Sequence, residues 1–260
     1  MNILVIGDVV GQPGRKVIRE LLPGIQRKHD IEFTVVNAEN AAGGRGLTKD
    51  VMEELLTSNI DVLTMGNHVW DNKDIFNFVD TEHRLVRPAN YPDYCPGQGY
   101  HIYKAGFNIN VAVINLSGRV FLAPLDCPFR KLDEILASIE GEADIIIVDF
   151  HAEATSEKLA LAYYADGRIS ALLGTHTHIQ TADERILPEG TAYITDLGMT
   201  GPVDSILGMK KEIVIERFIN QRPARFQVAK GAAQIQGVVL ELDNDSLKVD
   251  KIYRVAHILN

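Results

Sequence analysis

Short, continuously apolar runs recur along the chain, and polar or glycine-containing turns separate them from amphipathic stretches. Runs of this kind, rich in Val and Ile, are typical of strands buried on both faces of a sheet. The pattern predicts strands at residues 3–6, 33–36, 62–65, 145–148, 169–173 and 192–195. Helical periodicity lies between several of them, at 15–22 and 49–56, and Thr48 is placed to cap the second helix. This alternation predicts an α/β fold.

Two further pairs of segments have the pattern of antiparallel hairpins. Residues 100–105 and 110–116 flank a turn at 106–108, and residues 237–242 and 247–254 flank the turn sequence "DNDS". Together with the α/β units, these hairpins predict a mixed architecture. It contains either two packed sheets or one large mixed sheet, with helices on both sides.

Two stretches lack a sustained period. "NLSGRVFLAPLDCPFRK", residues 115–131, contains two prolines and a glycine, and it predicts a small cap or a long surface loop. "LGMTGP", residues 197–202, is a second irregular patch, and an amphipathic helix is predicted to follow it. The residues expected on the buried side of that helix are Ile206, Leu207, Ile213, Val214 and Phe218.

The composition is that of a globular protein, with 260 residues, 46% of them hydrophobic and 23% charged. This length leaves one domain with an insertion, or two domains, open. The net charge of −9 argues against binding of duplex nucleic acid. No signal peptide and no run of membrane-spanning length are found, so we expect a cytoplasmic protein without a membrane partner. Cys95 and Cys127 form no C-x-x-C pair, which argues against a thiolate metal site.

Residues able to bind a metal follow nearly every predicted strand. They are Asp8, Glu39, Asn40, Asn67, His68, His151, His176 and His178. Each alone is also explained as an ordinary turn or capping residue. Because the carboxyl ends of strands form the ligand crevice of open α/β sheets, we expect these side chains to converge. In "GTHTH", two histidines one residue apart would point to the same face of an extended segment.

The donor types restrict the choice of ion. The set combines carboxylates, carboxamides and several imidazoles without cysteine, which suits iron, manganese or zinc, whereas calcium and magnesium rarely recruit several imidazoles. Eight donors are too many for one ion and enough for two. The residues therefore predict a dinuclear site of divalent or trivalent ions, with iron or manganese preferred and zinc as a further candidate.

The ordered set of motifs resembles the calcineurin-like metallophosphoesterases. Their pattern of a strand-end Asp, a second acid, Gly-Asn-His, a single His and Gly-x-His-x-His is matched here by Asp8, Glu39, residues 66–68, His151 and residues 174–178. The superfamily usually begins with D-x-H, but this chain has "GDVVG". That departure, together with "NAENAAGGRGLT", "RPANYP" and "HAEATSEK", resembles the YmdB-type bacterial phosphodiesterases across essentially the whole chain.

The resemblance implies a four-layer αββα arrangement in a single domain spanning residues 1–260. It also implies two sets of metal ligands that share Glu39. The first ion would take Asp8, Glu39, Asn40 and His178, and the second would take Glu39, Asn67, His151 and His176. Val10 stands where the superfamily has a histidine, and Asn40 would replace that ligand.

The implied reaction is the hydrolysis of a phosphodiester by a metal-bound hydroxide, with His68 as the acid that protonates the leaving oxygen. Cyclic nucleotides are the implied substrates, 2′,3′-cyclic ones first and 3′,5′-cyclic ones next. A base-binding element needs aromatic or guanidinium planes, which the segment 115–131 offers, although ordinary surface packing explains them equally well. The planes in question are those of Arg119, Phe121, Phe129 and Arg130.

Three alternatives to this interpretation stay open. The same ligands would serve a phosphomonoesterase or nucleotidase, and a regulatory protein would bind metal or nucleotide without turnover. A dinucleotide-dependent oxidoreductase is disfavoured because "GDVVGQPG" is not G-x-G-x-x-G.

Asp71, Asp149 and Glu153 are candidates for orienting the imidazoles. A homo-oligomer is compatible with the sequence.

Overall fold

A computed structural model describes residues 1–106 and 108–260. The strands are β1 (Asn2–Ile6), β2 (Asp8–Val9), β3 (Ile31–Asn37), β4 (Val62–Thr64), β5 (Leu85–Val86), β6 (Tyr100–Ala105), β7 (Ile109–Ser117), β8 (Ile145–His151), β9 (Ala171–Thr175), β10 (Arg185–Ile186), β11 (Ala192–Ile194), β12 (Met199–Pro202), β13 (Ala233–Leu242) and β14 (Val249–Leu259). The helices are α1 (Gly11–Lys28), α2 (Lys49–Leu56), α3 (Pro128–Ser138), α4 (Thr155–Ala165) and α5 (Lys211–Asn220), with a 3₁₀ helix at Lys73–Asn77.

The strands form two sheets. In the first, the order is β2-β12-β13-β1-β3-β4-β5, and β14 pairs with β13. Its strands β1, β3, β4 and β5 are parallel, while β13 runs antiparallel to β1. In the second sheet the order is β10-β11-β9-β8-β7-β6, with β7, β8, β9 and β11 parallel. Each sheet thus contains a block of four neighbouring parallel strands. The carboxyl ends of the strands in a block lie along the same side of that sheet.

The two sheets pack face to face, and helices cover their outer faces. Along β1, Leu4 belongs to a core shared with α1 and α2, whereas the next residue, Val5, belongs to a core between the sheets that also contains Leu173 of β9. On the outer face of the second sheet, Leu172 of β9 packs with residues of α3 and α4. Because side chains alternate along a strand, each apolar run supplies two cores. The predicted four-layer arrangement is confirmed, and the single large sheet is excluded.

Both predicted hairpins are present. Strands β6 and β7 pair antiparallel with Tyr100 opposite Ile114, and β13 pairs with β14. Phe107 in the predicted 106–108 turn lies outside the described residues. Helix α2 begins after Thr48, whose hydroxyl accepts a hydrogen bond from the Val51 amide at 3.4 Å, so the predicted cap is also confirmed.

The segment after β11 differs from the sequence prediction. Met199–Pro202 is a strand, not an irregular patch, because β2 and β13 pair with its two edges. The helix that follows begins only at Lys211, and its one buried residue is Val214. Leu207, which precedes the helix, is 44% exposed, and Phe218 is 75% exposed, so the prediction that both are buried is wrong. The physical reason is that α5 lies on the surface and has one narrow buried stripe.

Segment 115–131, predicted as a cap or long loop, is divided between three structures. Its first residues complete β7, residues 118–127 are irregular, and its last residues begin α3. A cap function for the irregular part stays a prediction. Among the described helices, none combines the length and the apolar character needed to span a bilayer.

Candidate metal centre

Strand ends of the two sheets bring the predicted donors together. Asp8 follows β1, Glu39 and Asn40 follow β3, and Asn67 follows β4, all in the first sheet. The second sheet contributes His151, the last residue of β8, and the two histidines that follow β9. The convergence expected from the sequence is therefore present, and it depends on the face-to-face packing of the sheets.

One group of donors surrounds the imidazole of His151. Its Nε2 lies 3.1 Å from Glu39 Oε1, 3.0 Å from Asn67 Oδ1 and 3.0 Å from His176 Nδ1. Glu39, His151 and His176 form a cluster in which one donor atom of each lies within 4.8 Å of the others. Donors that share an ion at about 2.1 Å are separated by about 3 Å, so this spacing fits a bound cation.

A second group surrounds Asp8 and His178. The distance from His178 Nε2 to Asp8 Oδ1 is 3.7 Å. Asn40 Nδ2 lies 3.1 Å from Glu39 Oε1 and 3.1 Å from His178 Nε2. Since the amide nitrogen of Asn40 faces these groups, the amide has to rotate before its oxygen can bind an ion. Glu39 lies between the two groups and contacts a member of each.

The buried carboxylates indicate that a cation belongs here. Asp8 is fully buried, and among the described residues none forms a hydrogen bond with its Oδ1. A buried carboxylate oxygen without a partner is costly, and a cation bound by it removes that cost. The chemistry of the donor set and this unpaired oxygen therefore both fit bound metal cations.

The ionisation of these groups follows from their burial and mutual contact. Burial raises the pKa of Asp8 to about 6, against the opposing charges of His178 and His151. Burial alone would also raise the pKa of Glu39, but the charge and hydrogen bond of His151 outweigh it and hold the Glu39 pKa at about 2. Burial and the charge of His151 lower the pKa of His176 to about 3. A neutral imidazole with an available nitrogen is the form that binds a metal.

Hydrogen bonds fix the orientation of each imidazole. His151 Nδ1 lies 2.9 Å from the Thr175 hydroxyl, which in turn donates to Asp149 Oδ1 at 2.7 Å. His176 Nε2 lies 3.0 Å from Glu153 Oε2. In both rings one nitrogen is occupied, and the other faces the donor cluster. Asp149 and Glu153 thus take the orienting positions expected of them, while Thr175 was missed.

The "GTHTH" segment is not extended after β9. The strand ends at Thr175, and His176 and His178 have positive φ angles of 101° and 65°. The sequence prediction that both rings lie on one face of a strand is therefore wrong. Positive φ is uncommon for residues other than glycine, and such strain persists only where surrounding contacts hold it.

A buried ion pair supplies those contacts. Asp196 Oδ2 accepts hydrogen bonds from the amide and the hydroxyl of Thr177 at 3.0 and 2.8 Å, and from Lys158 Nζ at 2.8 Å. Lys158 and Asp196 are both fully buried. Thr177, the residue between the two histidines, is therefore held in place by Asp196. In this conformation His176 lies in one donor group and His178 in the other. Neither Lys158 nor Asp196 was singled out from the sequence.

His68 lies beside the cluster rather than within it. Its backbone amide donates to Glu39 Oε2 at 3.0 Å, and its ring Nδ1 lies 2.9 Å from Asp71 Oδ2. Gly66, two residues earlier, allows this approach, because a Cβ there would overlap both Glu39 and the His151 ring. Among the described residues, none forms a hydrogen bond with His68 Nε2, and the side chain lines the adjacent cavity.

A family model described as "YmdB-like protein" matches residues 4–255. The chain belongs to this YmdB-like family. A "2′,3′-cyclic-nucleotide 2′-phosphodiesterase" of Bacillus subtilis (strain 168) is 54% identical over 255 residues, which cover 98% of this chain and 96% of the relative. The resemblance that the motifs predicted is confirmed at the level of the family.

Solved structures of similar chains agree with the fold of this YmdB-like protein. A hypothetical protein from Thermus thermophilus superposes with a TM-score of 0.93 at 40% identity, covering 99% of both chains. A structure titled as a novel phosphatase from Mycoplasma pneumoniae gives a TM-score of 0.93 at 36% identity and covers 99% of this chain and 93% of the other.

The donors of this YmdB-like protein open into a cavity of about 620 Å³. Its second side is formed by residues 207–228, which we call the α5 wall and which contribute Arg217, Arg225 and Phe226 to the lining. Among the described residues, the four base-binding candidates of segment 115–131 are absent from this lining. Phe121, for example, is 88% exposed. These four residues therefore do not border the cavity next to the predicted donors.

Proposed function

We propose that this protein is a two-metal phosphodiesterase that hydrolyses cyclic nucleotides, with 2′,3′-cyclic nucleotides as the preferred class. The observation that carries the proposal is the position of Glu39, whose Oε1 lies 3.1 Å from both His151 Nε2 and Asn40 Nδ2. This carboxylate joins two groups of donors. The name of the Bacillus subtilis relative supports the substrate class.

Each donor group would hold one ion. Asp8, Glu39, Asn40 and His178 form the first, and Glu39, Asn67, His151 and His176 form the second. Two bound cations would lower the pKa of a water molecule and would neutralise the nonbridging oxygens of a phosphodiester. The chain supplies two carboxylates to this shell, Asp8 and Glu39, which do not neutralise two divalent ions. With two such ions bound, the site would keep a positive potential that attracts phosphate.

His68 is proposed to protonate the departing ribose oxygen. Asp71 Oδ2 lies 2.9 Å from Nδ1 of the imidazole and orients the ring, so that Nε2 is the nitrogen that would donate the proton. The link between the His68 amide and Glu39 fixes the distance between the proton donor and the metal donors. General acid assistance of this kind is worth about 10²–10⁴-fold in rate.

The test compares metal content with turnover in three variants. Elemental analysis of the wild type should give about two equivalents of iron, manganese or zinc per chain. His68→Ala should keep this content and lose about 10²–10⁴-fold in kcat on 2′,3′-cyclic AMP. Glu39→Ala should lose both metal and turnover. His83→Ala, an exposed histidine away from the cavity lining, serves as the control and should change neither.

The outcomes separate the alternatives. Full activity of His68→Ala would remove the proton donor, and one equivalent of metal would refute the dinuclear site. Bound metal without any turnover would favour a regulatory binding protein. Because the Mycoplasma pneumoniae structure is titled as a phosphatase, linear nucleoside monophosphates must be assayed beside the cyclic ones. Preferential hydrolysis of the monophosphate would assign a phosphomonoesterase. A cytoplasmic location and a small phosphodiester partner stay part of the proposal.

A further inference from the structure

Two side chains of the α5 wall, Arg217 and Phe226, bring a guanidinium group and an aromatic ring into contact. The guanidinium carbon of Arg217 lies 5.0 Å from the centre of the Phe226 ring, and both side chains line the cavity that also contains the metal donors. Phosphoester chemistry needs neither an aromatic ring nor a cation–π pair. Aromatic rings and guanidinium planes are, however, the surfaces on which proteins stack nucleobases.

The backbone that carries Phe226 is anchored on both sides. The carbonyl of Gln227 accepts a hydrogen bond from the Lys210 amide at 2.9 Å, and its side-chain oxygen accepts one from Lys210 Nζ at 2.7 Å. Val228 packs closely on Gly44, where an added Cβ would lie 3.0 Å from a Val228 methyl group. The ring therefore has a defined place although it lies in an irregular segment.

The α5 wall is also tied to the metal donors. The Leu207 carbonyl lies 3.2 Å from His178 Nδ1, so the ring of His178 is oriented by the wall itself. The amide of Ala229 donates to the Gly208 carbonyl at 2.9 Å and closes the wall at its far end. These contacts fix the Arg217–Phe226 pair relative to the site at which a phosphate would bind.

We infer that Arg217 and Phe226 stack the nucleobase of the substrate, so that the protein selects nucleoside cyclic phosphates over cyclic phosphodiesters without a base. The inference rests on the proposed phosphodiesterase function and adds the residues that determine which diesters are accepted. The remainder of the cavity lining offers charge in Arg45 and Arg225, but charge attracts every phosphodiester equally and gives no selection for a base.

The test uses a substrate pair that differs only in the base. Methyl ribofuranoside 2′,3′-cyclic phosphate has the same cyclic ester as 2′,3′-cyclic AMP. Phe226→Leu keeps the apolar volume and removes the ring, so we expect kcat/KM for the nucleotide to fall about tenfold. The loss should appear mainly in KM, because the base is remote from the reacting phosphorus. Activity on the base-free ester should not change.

Two further variants control for charge and for the helix. Arg217→Lys keeps the charge and removes the plane, and it should lower kcat/KM about threefold for the nucleotide alone. Phe218→Leu, on the exposed face of α5, should leave both substrates unaffected. Equal losses on both substrates in Phe226→Leu, or no loss on either, would overturn the inference while leaving the phosphodiesterase function intact.

Binding of AMP, measured by calorimetry, distinguishes a failure of the proposed phosphodiesterase function from a failure of the stacking inference. If the wild type hydrolyses neither ester, the proposed function fails, and the stacking surface is judged by binding alone. A Kd for AMP that rises about tenfold in Phe226→Leu supports the surface. An unchanged Kd, or no binding of AMP to the wild type, refutes it.

Discussion

The two sides of the cavity are built in different ways. The metal donors stand at strand ends, and Asp8, Glu39 and His151 are at most 1% exposed. The α5 wall lies on the surface, with Val214 as the one buried residue of its helix. The donors are held by buried hydrogen bonds between side chains, whereas the wall is held mainly by backbone contacts such as that of Lys210 with Gln227.

Under the proposed function, this difference separates the groups that would carry out the reaction from those that would select the substrate. A charge-rich site has to be rigid and dry, because its donors gain their strength from the low dielectric and lose it when they move. Recognition of a base needs a flat surface at a suitable distance and tolerates exposure. Changes at the donors should therefore affect metal content and turnover together, and changes in the α5 wall should affect KM alone.

The largest effect is expected from Lys158→Met, which leaves Asp196 as a buried charge without its ionic partner. Removal of one partner of a buried pair costs about 3–5 kcal/mol, to be measured as the free energy of unfolding in urea. Lys16→Met, at an exposed position of α1, is the control. A loss below about 1 kcal/mol would show that the pair behaves like one on the surface, and the donor side would not be rigid.

Gly66→Ala should come next. Its methyl group would overlap Glu39 and the His151 ring, and a displacement of about 1 Å at a catalytic site costs about 10²-fold in rate. We expect kcat to fall by that factor together with metal content. Gly24→Ala, in α1, meets no atom within 4 Å and should leave both unchanged. Normal metal content in Gly66→Ala would contradict the proposed role of these donors.

Thr175→Val tests the link between Asp149 and His151. Loss of the hydroxyl leaves His151 Nδ1 without its partner, and loss of an orienting partner typically lowers metal affinity about 10–100-fold. Competition with a chelator measures this affinity. Thr175→Ser keeps the hydroxyl and should retain the affinity of the wild type. Equal affinities in the Val and Ser variants would show that the hydroxyl is dispensable.

The smallest effect is expected from Gly44→Ala, at a loop residue that packs against the α5 wall. Gly44 has a φ of +97°, and a Cβ there would lie 2.9 Å from Met209 Cε. A cost of about 1 kcal/mol for these contacts and for the positive φ would raise KM for a cyclic nucleotide about fivefold, with metal content unchanged. Gly43→Ala shares the positive φ but meets no atom within 4 Å, so its smaller rise isolates the contact. Metal loss in Gly44→Ala would erase the distinction between the two sides.

Sequence patterns revealed the donors because their positions are local. Glu39 follows one long apolar strand and His151 ends another, and a strand end can be recognised from a few adjacent residues. Phe226 has no such marker, because nothing near it in the chain reveals that Val228 packs on Gly44 far upstream. The prediction that Phe218 is buried failed for a related reason: helical periodicity gives a face but does not say what covers it.

By itself, the sequence determined the alternation of strands and helices, the donor set and the family, since these depend on residue type, order and short spacing. The tertiary structure decided which of these donors lie next to one another and where the second wall of the cavity lies. It also decided that His176 and His178 diverge, because the buried Lys158–Asp196 pair clamps Thr177 between them. Such contacts join residues that are distant in the chain, and they arise only when the sheets and helices pack together.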